Sequence, residues 1–399
     1  MSSHASSLTS RLRGFIVASV LFLVAWQVAL LAAAPRQTII ALALYGFVFH
    51  MAFGKAYALV PSYFDRTLTF PRVPTVHLVF TIFGTIALAG APLLELPILR
   101  VVGAVGWTAG VALFLSTLGW TIRDNLTGRE TATGATKGEL KPVDRLANAF
   151  VPVALAYLAA GSYELLALVT PLTPLLDGHP AQGTHLLAAG TATILVFALG
   201  MRLMPRFLVE TPSRPLVAVV LATGAMGPAL VAIGVGGNPG LLRAGAIVQS
   251  VALVGFAVAY GKLFLRSDRR RTGSYGVLAG AVFGVGGVLL GTHFAFGTMS
   301  LSMIDAHLRL NLLGFLGLTI IGVAYHFYPP AAGSFRGAGD GTAVASIVFV
   351  AGGLFLEVLG LLTALDTLVV GGRIGALVGV TLYAYLLLSL FWERRSTRR

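Results

Sequence analysis

In a chain this apolar, the ionisable side chains inside the apolar runs are few enough to be taken one at a time. The stretch "DAHLRLNLLGFLGLTIIGVAYHFYP" opens with Asp305, His307 and Arg309 and closes with His326. Residues four apart share a helix face, so Asp305 and Arg309 are predicted to pair in the favourable acid-first order. His307, two residues from each, points roughly 200° away and has no local partner. Burying an ionisable group in hydrocarbon costs at least ~2.5–3.5 kcal/mol for Arg or Asp, so each such residue needs a reason. An imidazole without a partner in such a setting can hold a metal or a haem iron, or relay a proton. His185 opens a second apolar run and His293 closes a third, both at the same end of the chain's spans as His307. Glu164 and Glu357 lie in that half too. Imidazole with carboxylate suits non-haem iron, zinc or copper, which makes His185, His293, Glu164 and Glu357 candidate metal ligands and His307, His185 and His293 candidate cofactor ligands. The same groups can instead pair with one another.

The other histidines read differently. His4 and His179 are solvated, and His77 is interfacial or hydrogen-bonded. His326 lies at the opposite end of its span. His50 and Lys55 are five residues apart, about 140° round a helix, and so do not form one site.

These residues must be positioned by membrane helices. The chain has 399 residues, 56% hydrophobic and only 11% charged, with a mean hydropathy of +0.86, a composition that points to an integral membrane protein. Twelve apolar stretches reach the roughly 20 residues needed to cross a bilayer: 12–34, 38–61, 74–94, 99–121, 148–170, 182–204, 215–234, 241–265, 274–294, 304–328, 342–364 and 373–392. They are continuous rather than alternating, which predicts helices and not a β-barrel. Many of the 48 glycines fall inside them, where small residues let helices approach closely. The longest polar stretch, "RDNLTGRETATGATKGELKPVDR" (123–145), reads as a loop.

Charge sets the expected orientation. Twenty Lys and Arg residues fall on the side of the two termini, against Arg36, Arg100, Arg243 and Arg373 in the opposite loops. This asymmetry predicts a multi-pass protein of the cell (plasma) membrane with both termini cytoplasmic. It also assigns the net charge of +13 to an inner surface facing anionic lipid, with no role for nucleic acid. "AAAPRQ" after the first run faintly resembles a signal-peptidase site, but the run is longer than a signal core and is read as retained. With no cysteine, disulfides, iron–sulfur clusters and c-type haem are excluded.

Residues 39–61 laid over 307–329 match at eight of 23 positions, including Gly46/Gly314, Phe47/Phe315, Gly54/Gly322 and Pro61/Pro329. Residues 185–207 form a looser third copy. The copies are four spans apart. The expected fold is therefore all-α: one domain over 1–399, a polytopic bundle of about twelve transmembrane helices in three pseudo-repeated four-helix units, roughly 1–145, 146–270 and 271–399.

The tenth run, "HLRLNLLGFLGLTIIGVAYHFYP", resembles the corresponding helix of haem–copper oxidase catalytic subunits, above all the cbb-type and nitric-oxide-reductase branches. The chain as a whole resembles the related twelve-helix NnrS family associated with nitric oxide metabolism, whose length it fits better. The resemblance implies that His307 takes the place of the high-spin haem ligand and His185 that of a copper ligand. Arg309 and Ile39 stand where the low-spin haem ligands belong, and the paired copper histidines of the seventh helix have no counterpart. "MRLMPRFLVETPSR" (201–214) resembles an NnrS segment and reads equally as an inner-surface anchor. The implied protein binds a b-type haem or a single copper or iron ion, without the complete oxidase centre, in respiration, denitrification or nitric oxide handling. Any electrons would come from a redox partner or a further membrane subunit. A transporter using Lys55, His50, Glu164 and Glu357, or a non-catalytic scaffold subunit, stay open as alternatives.

Overall fold

A computed structural model describes residues 2–396. The side chains of His4 and Arg395, and the whole of Arg398 and Arg399, lie outside what is described. Twelve helices are long and apolar enough to cross a membrane: α1 Ser10–Leu31, α2 Arg36–Tyr63, α3 Val73–Leu93, α4 Pro97–Ile122, α5 Ala135–Ala167, α6 Pro180–Leu208, α7 Arg214–Val235, α8 Pro239–Arg266, α9 Thr272–Phe296, α10 Leu301–Ala332, α11 Asp340–Thr363 and α12 Asp366–Arg394. No strand occurs among the described residues. The chain is a multi-pass membrane protein, and its even number of crossings puts both ends on one face, here called the termini face.

Burial separates the helices into two sets. The most apolar stretches of α2, α6 and α10 are 72%, 78% and 72% buried, against no more than 50% in any other helix. These three form an inner ring. The other nine surround it and turn large apolar side chains such as Phe83, Ile98, Leu265 and Val282 outward, as lipid requires.

The inner helices share an uncommon backbone. Each carries an eight-residue π-helical segment: Ala41–Val48, Leu186–Thr193 and Leu310–Gly317. Such segments are rare and cluster at functional sites. Within each, a glycine (Gly46, Gly190, Gly314) is followed fifteen residues later by a proline (Pro61, Pro205, Pro329). In this register His185 stands opposite Arg309, two residues from the position that its histidine suggested in the sequence. Closely packed hairpins, α3–α4, α7–α8 and α11–α12, follow the three inner helices in turn, and α9 packs equally closely on α10. In α11–α12 the helices are backbone-close: a Cβ on Gly353 would meet the Ala376 nitrogen at 2.4 Å, and one on Gly372 the Glu357 nitrogen at 2.3 Å. Only glycine fits such contacts.

Two regions differ from expectation. The polar stretch 123–145 is not simply a loop: it contains a short 3₁₀ turn, Ala135–Leu140, and the start of the amphipathic helix Lys141–Ala149. The reason is Asp144, which is fully buried and anchors this segment to α6. The last helix begins at Asp366, so Arg373 lies two turns inside it rather than in a loop.

Candidate functional site

At the end of the bundle away from the termini, the segments preceding the π turns of α6 and α10 carry His185 and His307. His307 Nδ1 lies 3.0 Å from the carbonyl oxygen of Gly287 on α9. A carbonyl only accepts, so in the neutral ring the proton is on Nδ1 and Nε2 keeps its lone pair. The nearest polar atom to Nε2 is Asn311 Nδ2 at 3.5 Å, and that amide's short bond goes to the His307 carbonyl at 2.8 Å. Gly291 and Phe294 wall the ring on the α9 side. His185 repeats the pattern within its own helix: Nδ1 lies 2.8 Å from the Ala181 carbonyl oxygen. The π segments that follow the two histidines touch each other. A histidine whose Nδ1–H is fixed by a carbonyl is the form that binds metal, because the outer partner sets tautomer and ring orientation.

The other candidates do not join this pair. His293 is exposed at the lip of an apolar groove of about 480 Å³ between α9, α10 and α11. Its ring looks outward, so it is not a third ligand beside His307. Glu164 is buried and accepts the Leu176 backbone N–H at 2.9 Å, pinning the loop between α5 and α6. Glu357, fully buried, is held by two guanidiniums: Oε2 accepts from Arg309 Nε and Nη2 at 2.8 and 2.7 Å, and Oε1 from Arg373 Nε at 3.0 Å. Among the described residues no three His, Cys, Asp or Glu side chains converge as metal ligands do.

The predicted Asp305–Arg309 pair is also replaced. Asp305 bonds Arg36 at the start of α2 at 2.8–2.9 Å, and Arg309 turns inward to Glu357. Both residues face tertiary partners, and a buried carboxylate outweighs a half-exposed neighbour for a guanidinium in low dielectric. The position at which the resemblance would place a low-spin haem ligand is thus occupied by an arginine already committed to Glu357 and to Gln27 Oε1 (3.1 Å).

On the termini side, His50 bonds the Tyr45 carbonyl oxygen (2.9 Å) and His77 the Tyr57 hydroxyl (3.1 Å), both rings being packed against Phe15. His77 is therefore hydrogen-bonded and wholly buried rather than interfacial. His326 stacks on Phe207 with ring centroids 4.2 Å apart and meets Ser274. His179 is exposed and caps α6. Lys55 and His50 have different partners. The Lys55 ammonium lies 3.8 Å from the Phe327 ring centroid and 3.3 Å from the Tyr328 hydroxyl, at the wall of an apolar cavity of about 100 Å³ lined by the three inner helices.

Arg202 and Arg206 are not a surface anchor: both reach Asp144, and Arg202 is only 3% exposed. Sequence reasoning missed Asp144, Gln27 and Trp26. Polar Gln27 inside an apolar run was the available signal for the second of these. Opposite charges at matching depth, Glu357 against Arg309, were the signal for the ion pair.

No protein-family model matches this chain, and no curated protein matches it.

Proposed function

We propose that this protein holds a haem or a single copper or iron ion through His307, with His185 beside it, and that the bound metal takes a small ligand such as a diatomic gas. One observation carries the reading: two imidazoles on neighbouring inner helices, each with Nδ1 fixed to a carbonyl and Nε2 left as the donor. The donor chemistry fits an axial haem ligand or copper. It does not fit a second, low-spin haem, whose expected ligand positions hold Arg309 and Ile39. A metal bound there would supply an open coordination position and one-electron chemistry. The chain's own residues orient the two rings, through Gly287 and Ala181, and leave both half-buried. The basic asymmetry supports a plasma-membrane location with the termini in the cytoplasm. Electrons for any turnover come from a partner.

The test is the visible spectrum and metal content of the purified protein. A Soret band or bound copper or iron, lost in His307→Ala and kept in His293→Ala, is the expected result. A colourless wild-type protein without metal overturns the reading.

A second reading, transport, is favoured by Lys55 at the wall of the central cavity, since intramembrane charge also marks permeation paths. It requires that proteoliposomes conduct protons under an imposed potential and that Lys55→Met stops them. Tight wild-type vesicles remove it.

A further inference from the structure

The ion pairs around Glu357 do not balance. Arg309 and Arg373 carry two positive charges and Glu357 one negative, leaving the cluster at net +1. The neighbouring Arg36–Asp305 pair is neutral by itself and half-exposed, so it offsets nothing. Hydrogen bonding is unbalanced in the same sense. Arg309 Nη1, Gln27 Nε2 and Trp26 Nε1 are all buried N–H donors without an acceptor. They surround one guanidinium: Arg309 Nη2 bonds the Gln27 carboxamide at 3.1 Å, and Arg309 Cζ sits 4.9 Å from the Trp26 ring centroid. Arg309, Gln27 and Trp26 are at most 3% exposed. Buried polar atoms are nearly always paired, so three orphan donors at one place, all of one kind, call for an acceptor. The missing charge says which. A neutral water would satisfy N–H groups but leave the buried charge uncompensated, whereas one monovalent anion corrects both deficits.

We propose that Arg309, Gln27 and Trp26, with Arg373 and Glu357 behind them, form a binding site for a monovalent inorganic anion. Access is from the face opposite the termini, where the Arg373 side chain is 23% exposed. The inference does not depend on a metal at His307.

Bromide is the probe. Thermal unfolding of the full-length protein is followed during a bromide titration at constant ionic strength, with gluconate making up the balance. Wild type shows a saturable rise in Tm. Trp26→Phe, which keeps the ring and deletes the N–H, and Gln27→Leu each raise the half-saturating bromide concentration about tenfold, the expected loss for one hydrogen bond to a charged partner. In crystals grown with bromide, an anomalous peak lies within hydrogen-bonding distance of Arg309 Nη1. A Tm that ignores bromide, or an equal response in wild type and in both variants, overturns the proposal. If neither variant folds, the anomalous map of the wild type decides: a peak supports the site, and none sinks it.

Discussion

Two buried carboxylates, at opposite faces, each bind two arginines, and their surroundings differ. Asp144, on the termini face, takes Arg206 at 2.5 and 3.0 Å and Arg202 Nε at 3.3 Å. The Arg202 contact is within ion-pair range but out of line for a hydrogen bond. Most other donors there are met: Arg202 bonds the Tyr63 carbonyl at 2.8 Å, Asn148 Oδ1 at 2.6 Å and Thr131 at 3.0 Å, and its guanidinium lies over the Tyr63 ring, which leaves Arg202 Nε and the Tyr63 hydroxyl unpartnered. Thr133 donates to the same carboxylate. Glu357, on the far face, has equal formal charge around it but a shortage of acceptors. The same ionic motif thus closes a latch in one place and, in the other, stands beside the proposed anion site. Net charge alone does not distinguish them; the larger number of unpartnered N–H donors around Arg309 does.

The comparison breaks first at the carboxylates. Asp144→Ala strands two guanidiniums, one almost fully buried, and is expected to cost about 3–5 kcal/mol. It is read as a large drop in Tm or in folded yield, with no recovery in bromide. Glu357→Gln is expected to destabilise on the same scale, yet to gain more Tm from bromide than wild type does, because its cluster rises to net +2. Equal indifference to bromide in both variants would erase the distinction drawn here. Thr133→Val sharpens it from the latch side: a loss of about 1 kcal/mol with an unchanged bromide response.

The smallest effect belongs to an exposed pair, Arg66 with Asp124 at 3.0 Å. Hydrogen bonding to Arg66 holds the Asp124 carboxyl below its usual range. A depressed folded-state value means stabilisation that is present above the unfolded carboxyl range and lost as pH falls through the folded one. Asp124→Asn should therefore be slightly less stable than wild type at neutral pH, the two should converge as pH falls below about 4, and high salt should shrink the neutral-pH difference.

Much of this was legible in one dimension. The twelve runs, 12–34 through 373–392, lie within a few residues of the observed helices except at the starts of the fifth and the last. Pro61 and Pro329, matched by the repeat, close two of the three inner helices. Hydrophobic length is a property of the chain itself, and a bilayer demands it of every crossing, so composition reports it directly. The separation of His50 from Lys55 followed from helical angle alone. The layer of His185, His293, Glu164 and Glu357 did not form, because depth along a span says nothing about azimuth: His293 faces outward, and Glu357 faces two arginines.

Sequence by itself determined the class and the number of crossings, since both follow from local chemistry repeated along one chain. Tertiary structure decided who pairs with whom. Arg309 turned from a neighbour four residues away to a carboxylate 48 residues on, and Asp144 left a polar stretch to be buried against α6. Partner choice in low dielectric is set by which charges the packing of separate helices brings within a few ångströms, and no spacing within a single helix contains that information.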